Sequence, residues 1–356
     1  MHTLRRRGLP AAALVAALAA LAAGCGGGSS NNATTTTTAG SGSFTAALVS
    51  DIGKFTDKGF NQSQLAGLNT AEKQLGITGL PLQSNATSDY APNFNTAVRK
   101  GSKLVIAAGF LLANTLATYA KKFPNTDFAI TDYTVHTTPF ADKQGNVLPA
   151  FQHNVEGLTY MANESGCLVG VLAAKTAQQM GSTTIGAVGG IKIPPVDIWI
   201  AGYRYCAQKA VPGTKVLVRY SNDFVATDKC QTVAQNEIAQ GAKVLFQVAG
   251  GCGLGTLKAA DSAGIWGIGV DVDQYNDAKR VLTSGVKRVD RGVFQAIAQA
   301  KAGKFEGGQD LVFDLKNGGM SVGKINPSVP KADIALMNSY KARIIAGTLK
   351  VPSSLG

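Results

Sequence analysis

Histidine and cysteine are scarce in this sequence of 356 residues. It contains 3 histidines and 5 cysteines, and no two cysteines have the C-x-x-C spacing. A structural zinc site usually needs four Cys or His ligands, and a Cys/His nucleophile pair needs a histidine within hydrogen-bonding reach of the thiol. Beyond residue 24 the only histidines are His136 and His153. We therefore expect no metal site and no catalytic thiol.

Long apolar runs are also missing, apart from Ala11–Ala23 near the N-terminus. This run is shorter than the roughly 20 residues of a transmembrane helix. It follows three consecutive arginines and ends in small residues before Cys25, which is typical of a bacterial lipoprotein signal peptide. We predict that residues 1–24 are removed and that Cys25 is acylated. An ordinary cleavage site beside a chance cysteine is the alternative.

The segment after Cys25 contains almost no residue that could be buried in a core. Residues 26–42 are only Gly, Ser, Asn, Thr and Ala. Such a composition cannot offset the entropy of folding, so residues 25–43 are predicted to be a disordered tether. A lipid followed by a tether indicates an extracytoplasmic protein anchored to the cell membrane rather than one that spans it.

Acidic residues are fewer than basic ones. The full chain has 34 Lys and Arg against 22 Asp and Glu, and removing the three arginines of the signal peptide leaves 31 against 22, a net charge of +9. The lysines are spread along the chain, without a basic helix or helix-turn-helix, so we do not expect nucleic acid as a partner. A location near an anionic membrane surface accounts for the balance more simply.

Apolar runs alternate with amphipathic segments almost throughout the rest of the chain, and no repeat of fixed period is visible. The predicted strands are Phe44–Val49, Lys103–Ala108, Asp127–Thr131, Thr184–Val188, Val216–Tyr220, Val244–Ala249 and Trp266–Val270. The predicted helices include one that begins near Phe60, and Ala113–Lys122, Gly166–Gln178, Val196–Lys209, Asp228–Gln240 and Thr256–Ala263. This alternation predicts an α/β architecture with mostly parallel sheets, and its length favours two lobes.

Aspartates follow several predicted strands. Asp51 comes after the first, Asp132 ends the segment DFAITD, and Asp271 and Asp273 follow GIGV. The carboxyl ends of parallel strands are where open α/β folds bind ligands. A single aspartate there could equally cap a helix or face solvent, but three at equivalent places favour a common cleft.

Two further segments allow more than one interpretation. The glycine-rich run Gly250–Gly255 opens a predicted helix, but its spacing does not fit a dinucleotide fingerprint and no phosphate-binding lysine follows it. A tight turn beside a ligand is the better interpretation, and no cofactor is expected. Trp199 follows Pro194 and Pro195, which favour the first turn of a helix. Its ring could pack in the core or face a cleft.

Blocks of sequence spread from about residue 49 to residue 320 resemble one family. They are SDIGKFTDKGFNQSQLAGL, SDYAPNF, FPNTDFAITD, GGIKIPPVDIWIAGY, FQVAGGCGLG, GIGVDVDQ, VLTSGVKRVDRGV and GKFEGGQDLVFDLKNGGM. The chain is similar in these blocks to the basic membrane protein family of substrate-binding lipoproteins of ABC transporters, which includes purine nucleoside receptors. The resemblance implies a two-lobed type I periplasmic-binding fold. We expect lobe one to comprise residues 44–153 and 279–309, and lobe two residues 154–278 and 310–356.

The resemblance also implies a ligand site in the cleft between the lobes. Its expected residues are Asp51, Phe60, Asn61, Asp132, Trp199, Gly251, Asp271 and Lys287. Asp51 and Asp271 would accept hydrogen bonds from ligand hydroxyls, with Asn61 near Asp51. Phe60 and Trp199 would cover the two faces of a base. Asp132 would reach the base or the sugar. Gly251 would line the pocket through its backbone, and Lys287 would pair with the carboxylates or the sugar. Asp57 and Lys58 are expected to brace the first loop and start its helix.

The predicted function is that of a monomeric receptor that binds nucleosides, purine nucleosides in particular, and delivers them to an ABC permease and its ATPase. A receptor for a sugar or a purine base, and a nucleoside sensor without transport, are the near alternatives. A nucleoside hydrolase is the alternative from another class, but the aspartate cluster D-x-D-x-x-x-D-D near the N-terminus is absent.

Four cysteines remain besides Cys25, and an even number in an oxidising compartment predicts disulfides. They are Cys167, Cys206, Cys230 and Cys252. All four fall in the expected second lobe. Three pairings are possible; we favour Cys206–Cys230, on two consecutive predicted helices, together with Cys167–Cys252.

Overall fold

A computed structural model describes residues 44–355. Within them, twelve strands form two sheets of six. In chain order the strands are β1 (Thr45–Ser50), β2 (Thr78–Leu82), β3 (Leu104–Ala108), β4 (Asp127–Thr131), β5 (Val155–Tyr160), β6 (Thr184–Gly189), β7 (Lys215–Tyr220), β8 (Val244–Val248), β9 (Trp266–Asp271), β10 (Val281–Lys287), β11 (Asp310–Phe313) and β12 (Met320–Val322). All the strands that the sequence predicted are present, to within one residue at either end.

Nine α-helices connect these strands in the described part of the chain. They are α1 (Phe60–Leu75), α2 (Tyr90–Arg99), α3 (Ala113–Lys122), α4 (Ala162–Gln179), α5 (Pro194–Ala210), α6 (Thr227–Ala239), α7 (Leu254–Ser262), α8 (Val289–Lys301) and α9 (Lys331–Ile345). The predicted start of α1 at Phe60 is confirmed, and Pro194 and Pro195 occupy the first turn of α5 as expected.

The first sheet has the strand order β11-β5-β4-β3-β1-β2 and the second has the order β12-β10-β9-β8-β6-β7. Every pairing is parallel except that of β10 with β12. We call the first sheet with α1, α2, α3 and α8 the first lobe, and the second sheet with α4–α7 and α9 the second lobe. The predicted fold class, mostly parallel sheets flanked by helices in two lobes, is confirmed.

The predicted boundaries between the lobes are wrong by one strand at each crossing. The sequence prediction placed β5 and β11 in lobe two, whereas both lie in the first sheet, where β5 pairs with β4 and β11. It placed β10 in lobe one, whereas β10 pairs with β9. The predicted boundaries fall in polar loops before these strands. The chain instead crosses after each strand, because the strand first completes the sheet that precedes it.

The disulfides join different cysteines from those favoured by the sequence. Cys167 is bonded to Cys206, with Cα atoms 4.9 Å apart, and Cys230 is bonded to Cys252, with Cα atoms 5.6 Å apart. Cys167 and Cys206 belong to the apolar cluster that contains α4 and α5, and the other two belong to a separate cluster beside α6 and α7. The consecutive helices α5 and α6 therefore pack in different clusters, on opposite faces of the second sheet, which separates Cys206 from Cys230.

Glycines bring α4 and α5 close enough for the first of these disulfides. A Cβ atom on Gly166 would overlap the backbone of Trp199, and one on Gly202 would overlap the backbone of Asn163. Only a residue without a side chain allows two helix backbones to approach so closely. This contact fixes α5, and with it the position of Trp199 beside the cleft.

The predicted signal peptide, the acylated Cys25 and the predicted tether fall outside the described residues. Among residues 44–355, no helix combines the length and apolar character that crossing a bilayer would require.

Candidate functional site

The carboxyl ends of the strands in the two sheets border one cavity between the lobes. The space measures about 560 Å³, including the part that opens to solvent. Its lining residues are Asp51, Gly53, Asp57, Phe60, Asn61, Gly109, Phe110, Asp132, Ile193, Pro195, Val196, Trp199, Phe224, Val248, Gly250, Asp271 and Lys287. Seven of the eight residues predicted from the sequence are in this set. The carboxyl edge of the sheets is also where open α/β folds bind ligands.

Asp51 lies directly after β1 and is buried. Its Oδ1 atom accepts hydrogen bonds from the Gly53 amide at 2.8 Å and from Asn61 Nδ2 at 3.1 Å. Its Oδ2 atom receives no hydrogen bond from residues 44–355. Gly109 has a φ of +132°, and a Cβ atom there would lie 3.0 Å from Oδ2. The local structure thus fixes one oxygen of Asp51 and keeps the space beside the other clear.

Asp57 and Lys58 hold the first loop, as the sequence predicted. The Asp57 carboxylate accepts hydrogen bonds from the amides of Gly59, Asn61 and Gln62 at 2.9, 2.9 and 3.1 Å. These amides begin α1 and have no partner within the helix, so Asp57 caps it. Lys58 Nζ lies 3.1 Å from Asp277 Oδ1 in the second lobe, and this ion pair links the lobes at the edge of the cleft.

Phe60 is in the first turn of α1 and is half-buried at the cavity. Lys287 Nζ lies 4.6 Å from the centroid of the Phe60 ring. That separation is within the range of a cation–π contact. The cap at Asp57 sets the direction in which α1 starts, so it also positions the Phe60 ring.

Lys287, the last residue of β10, connects aspartates of both lobes. Its Nζ atom lies 2.7 Å from Asp132 Oδ2 and 3.4 Å from Asp271 Oδ1. Oδ1 of Asp271 is buried and, apart from this ion pair, has no hydrogen-bond partner among residues 44–355. Asp132 and Asp271 have φ values of +61° and +66°, an uncommon conformation for residues other than glycine that concentrates at functional sites. At both residues the chain turns at the end of a strand and directs a carboxylate into the same cleft.

Burial changes the acidity of these groups. Loss of water raises the pKa of Asp51 to about 6, with smaller increases from the charges of Asp57 and Asp132. Burial likewise raises the pKa of Asp271 to about 6, although the charge of Lys287 opposes the increase. For Lys287, burial lowers the pKa, but Asp132 and Asp271 together more than offset it, so the pKa is raised. Lys287 is therefore a cation at neutral pH, and Asp51 and Asp271 titrate near pH 6.

Trp199 lines the cavity yet is only 1% exposed. Its ring packs edge-on against Phe246, with centroids 6.0 Å apart. A Cβ atom on Gly285 would lie 2.6 Å from the Trp199 ring, so that glycine leaves room for the indole. Both interpretations of Trp199 therefore hold, since its ring belongs to the core and forms part of the cavity wall.

Gly251 is the one predicted site residue that is not among the lining residues. Gly250 lines the cavity, whereas Gly251 is turned toward the first lobe, where its Cβ position would be 3.6 Å from Asp57 Cβ. Sequence reasoning also missed an apolar part of the lining. These residues are Phe110, Ile193, Pro195, Val196, Phe224 and Val248. Phe224 could have been found from the sequence, because an aromatic residue in the polar loop after β7 is unusual. The others resemble ordinary loop or core residues.

Residues 44–355 contain no group of three or more His, Cys, Asp or Glu side chains arranged to hold a metal ion. The four aspartates around the cavity are balanced instead by Lys287 and by hydrogen bonds from amides and Asn61. Carboxylates, a buried ammonium and aromatic rings in one cleft suit a flat or hydroxylated small molecule.

Comparison with known proteins gives a consistent result. Residues 44–354 match the family described as "ABC transporter substrate-binding protein PnrA-like". The "CD4+ T-cell-stimulating antigen" of Listeria monocytogenes is 33% identical over 88% of this chain and 89% of its own length. The "ABC transporter nucleoside-binding protein BmpA" of Lactococcus lactis is 32% identical over 86% of this chain and 89% of its own length.

A solved structure supports the fold. The crystal structure of an ABC transporter solute-binding protein from Aeropyrum pernix superimposes with a TM-score of 0.77, covers 88% of this chain and 94% of its own, and is 23% identical. The predicted type I binding-protein fold is thus confirmed. The chain belongs to the Bmp family of PnrA-like proteins, and it is a substrate-binding protein of an ABC transporter, not an enzyme.

Proposed function

We propose that this protein binds nucleosides, purine nucleosides in particular, in the cleft between its lobes and delivers them to an ABC permease. One observation carries the proposal. Two buried carboxylates, Asp51 of the first lobe and Asp271 of the second, line the same cavity as the ring of Phe60. The relative from Lactococcus lactis, which is named as nucleoside-binding, supports the same ligand class.

The sugar is the part of the ligand that these carboxylates fit. A carboxylate can accept hydrogen bonds from both hydroxyls of a ribose diol, and each such bond to a charged group contributes roughly 1.5–3 kcal/mol. Asp51 Oδ2 and Asp271 Oδ1 each lack a hydrogen bond from residues 44–355. Ligand hydroxyls would supply the missing donors.

The base would lie against the rings that border the cavity. Stacking on an aromatic side chain contributes roughly 1–3 kcal/mol per base. Phe60 offers its ring from the first lobe, and Trp199 and Phe224 lie across the cleft in the second. Asp132 and Lys287, already joined at 2.7 Å, would contact the base or the sugar while keeping the local charge nearly balanced.

Ligand would favour the state in which the lobes are closed. Contacts to Asp51 and Asp271 can form together only when both lobes approach the ligand, so binding shifts the hinge equilibrium toward closure. Two contacts between the lobes would stabilise that state. They are the ion pair of Lys58 with Asp277 and the hydrogen bond from the Gln274 side-chain amide to the Lys58 carbonyl at 3.0 Å. The closed form is the one that we expect a permease to recognise.

Location and partners follow from the N-terminal sequence. An acyl chain on Cys25 would hold the protein at the outer face of the cytoplasmic membrane, and residues 26–43 would give it reach. We propose that the monomer exchanges ligand with the permease and ATPase subunits there. Loss of nucleoside uptake after deletion of the gene would test delivery; unchanged uptake would favour a sensor.

Mass spectrometry of small molecules released from the freshly purified protein tests the ligand class directly. The proposal predicts a nucleoside, with a purine base and an intact ribose. A free sugar or a free purine base in its place would overturn it. Calorimetric titration of the exhaustively dialysed protein with the released compound then shows whether the compound occupies one site per chain.

A further inference from the structure

The amino ends of the strands in the first lobe form an edge opposite the cleft. In a βαβ unit the carboxyl end of each helix and the start of the next strand meet at this edge. Backbone hydrogen bonds join the starts of these strands. The Thr78 amide donates to the Phe44 carbonyl at 2.9 Å, the Lys103 amide to the Thr45 carbonyl at 2.8 Å, and the Asp127 amide to the Lys103 carbonyl at 3.0 Å. The chain that comes from Cys25 thus joins the fold at this edge.

Eight exposed basic side chains surround that point of entry. They are Lys73, Arg99, Lys100, Lys103, Lys121, Lys122, Lys301 and Lys304, and we call this set the basic edge. Few acidic groups oppose them. They are Glu72, Asp127 and the exposed Glu306, and Glu72 also accepts a hydrogen bond from the Gly79 amide at 2.9 Å. Eight basic groups against these three leave the surface with a net positive charge.

Compensation of helix dipoles does not account for the basic edge. A basic residue in the last turn of a helix is worth roughly 0.3–1 kcal/mol, and all four helices of the first lobe have one. In the second lobe α5 and α9 have one, whereas α4, α6 and α7 end without one. Helices of both lobes have the same dipole, so the excess in one lobe needs another cause. Lys100, Lys103 and Lys304 moreover lie beyond the helix ends.

We propose that the basic edge is a docking surface for the anionic lipid headgroups of the membrane that holds the protein. The occupant follows from charge complementarity and from the place where the chain enters the fold, since the tether can bring this edge to the bilayer first. Each Lys or Arg near an anionic leaflet contributes about 1 kcal/mol. Docking would hold the first lobe against the membrane.

Vesicle sedimentation tests the proposal with two variants of equal charge. Full-length protein carrying Cys25→Ala, which cannot be acylated, is mixed with phosphatidylcholine vesicles with and without phosphatidylglycerol. The first variant adds Lys100→Gln, Lys103→Gln, Lys121→Gln and Lys122→Gln. The matched control adds Lys209→Gln, Lys215→Gln, Lys279→Gln and Arg280→Gln, at the corresponding edge of the second lobe. Every protein shares the same apolar N-terminus, so differences between them report the folded surface.

We expect the parent protein to prefer phosphatidylglycerol vesicles in a salt-sensitive manner. The first variant should bind at least about 30-fold more weakly, since each basic residue contributes about fivefold, and the control should lose less than about threefold. Equal loss in both variants would overturn the proposal, because net charge alone would then explain binding. No preference of the parent for phosphatidylglycerol would overturn it as well. Unchanged nucleoside affinity in both variants verifies that they are folded.

Discussion

The first lobe lines the cleft with polar groups, whereas the second lobe lines it largely with carbon. From the first lobe come Asp51, Asp57, Asn61 and Asp132, with the rings of Phe60 and Phe110. From the second come Ile193, Pro195, Val196, Trp199, Phe224 and Val248, with Asp271 and Lys287 as its charged groups. An apolar wall accepts many flat molecules, but a buried carboxylate left without a donor costs free energy. Selectivity in this cleft therefore comes mainly from the buried carboxylates, and affinity for flat molecules comes from the apolar wall.

The two charged groups of the second lobe are the exception that ties the lobes together. Lys287 reaches across to Asp132 at 2.7 Å, and Asp271 faces the same cavity as Asp51. Closure of the cleft therefore brings like charges near each other, with Lys287 between them. This arrangement is tolerable only because the ammonium and ligand donors offset the repulsion.

Removal of the Asp271 carboxylate should have the largest effect on binding. Asp271→Ala removes an acceptor of ligand hydroxyls, so we expect the affinity for a ribonucleoside to fall at least about 150-fold, which corresponds to two hydrogen bonds to a charged group. Calorimetry also measures the second consequence, loss of most of the preference for ribose over dideoxyribose. Asp273→Ala is the matched control, because Asp273 is exposed and does not line the cavity. Equal losses in both variants would show that the loop, not the carboxylate, matters.

Removal of the Phe60 ring should have the next largest effect. Phe60→Ala deletes a stacking surface worth roughly 1–3 kcal/mol, so the affinity should fall about 5- to 150-fold while the preference for ribose persists. Trp199→Phe keeps an aromatic wall and should change affinity only slightly. If Phe60→Ala abolished the preference for ribose but kept affinity, the separation of roles between the carboxylates and the rings would be wrong.

The affinity should also depend on pH. The pKa values of Asp51 and Asp271 are raised to about 6 by burial, and only the ionised form accepts two hydroxyl donors. We therefore expect affinity to fall about tenfold for each group as the pH falls from 7 to 5. Calorimetry in buffers of different protonation enthalpy should detect proton release on binding near pH 6. An affinity that is constant over this range would contradict the assignment.

Stability of the ligand-free protein should change in the opposite direction. A carboxyl whose pKa is higher in the folded than in the unfolded state binds its proton more tightly when folded. The contribution of Asp51 and Asp271 to the free energy of unfolding is therefore largest near pH 4 and decreases as the pH rises to about 6. Denaturant titration at pH 5 and pH 7 measures it. Asp271→Asn, which cannot ionise, should show a smaller difference.

The smallest effect should come from the ion pair at the edge of the cleft. Lys58→Gln removes the contact with Asp277, but the Lys58 side chain is 58% exposed, and exposed ion pairs contribute only about 0.2–1 kcal/mol. The affinity should therefore fall less than about fivefold. Stopped-flow measurement should locate the change in the dissociation rate. A loss as large as that of Asp271→Ala would place closure, not ligand contact, at the centre of binding.

The sequence predicted the polar half of the cleft better than the apolar half. Asp51, Asp132 and Asp271 could be found because a charged residue directly after a buried strand is conspicuous. Ile193, Val196 and Val248 could not, since nothing distinguishes a cavity wall from a core in a single sequence. The paired carboxylates were visible as residues, but their raised pKa values depend on burial, which only the fold reveals.

Long-range pairing explains the remaining errors. The sequence prediction did not include β2, which contains Gly79 and Pro81. Pro is tolerated there because β2 is the edge strand of the first sheet. β5 contains the buried Glu156 in an otherwise apolar run. Which sheet a strand joins, and which face of that sheet a helix covers, are set by contacts distant in sequence. The lobe boundaries and the cysteine pairing both depended on such contacts.

The comparison of affinities for adenosine, adenine and 2′,3′-dideoxyadenosine tests the central claim most directly. If Asp51 and Asp271 hold the ribose diol while the rings hold the base, calorimetry on the wild-type protein should find adenosine bound at least about tenfold more tightly than either other compound. If adenine binds as tightly as adenosine, the carboxylates do not recognise the sugar, and the account of this cleft as a nucleoside site is wrong.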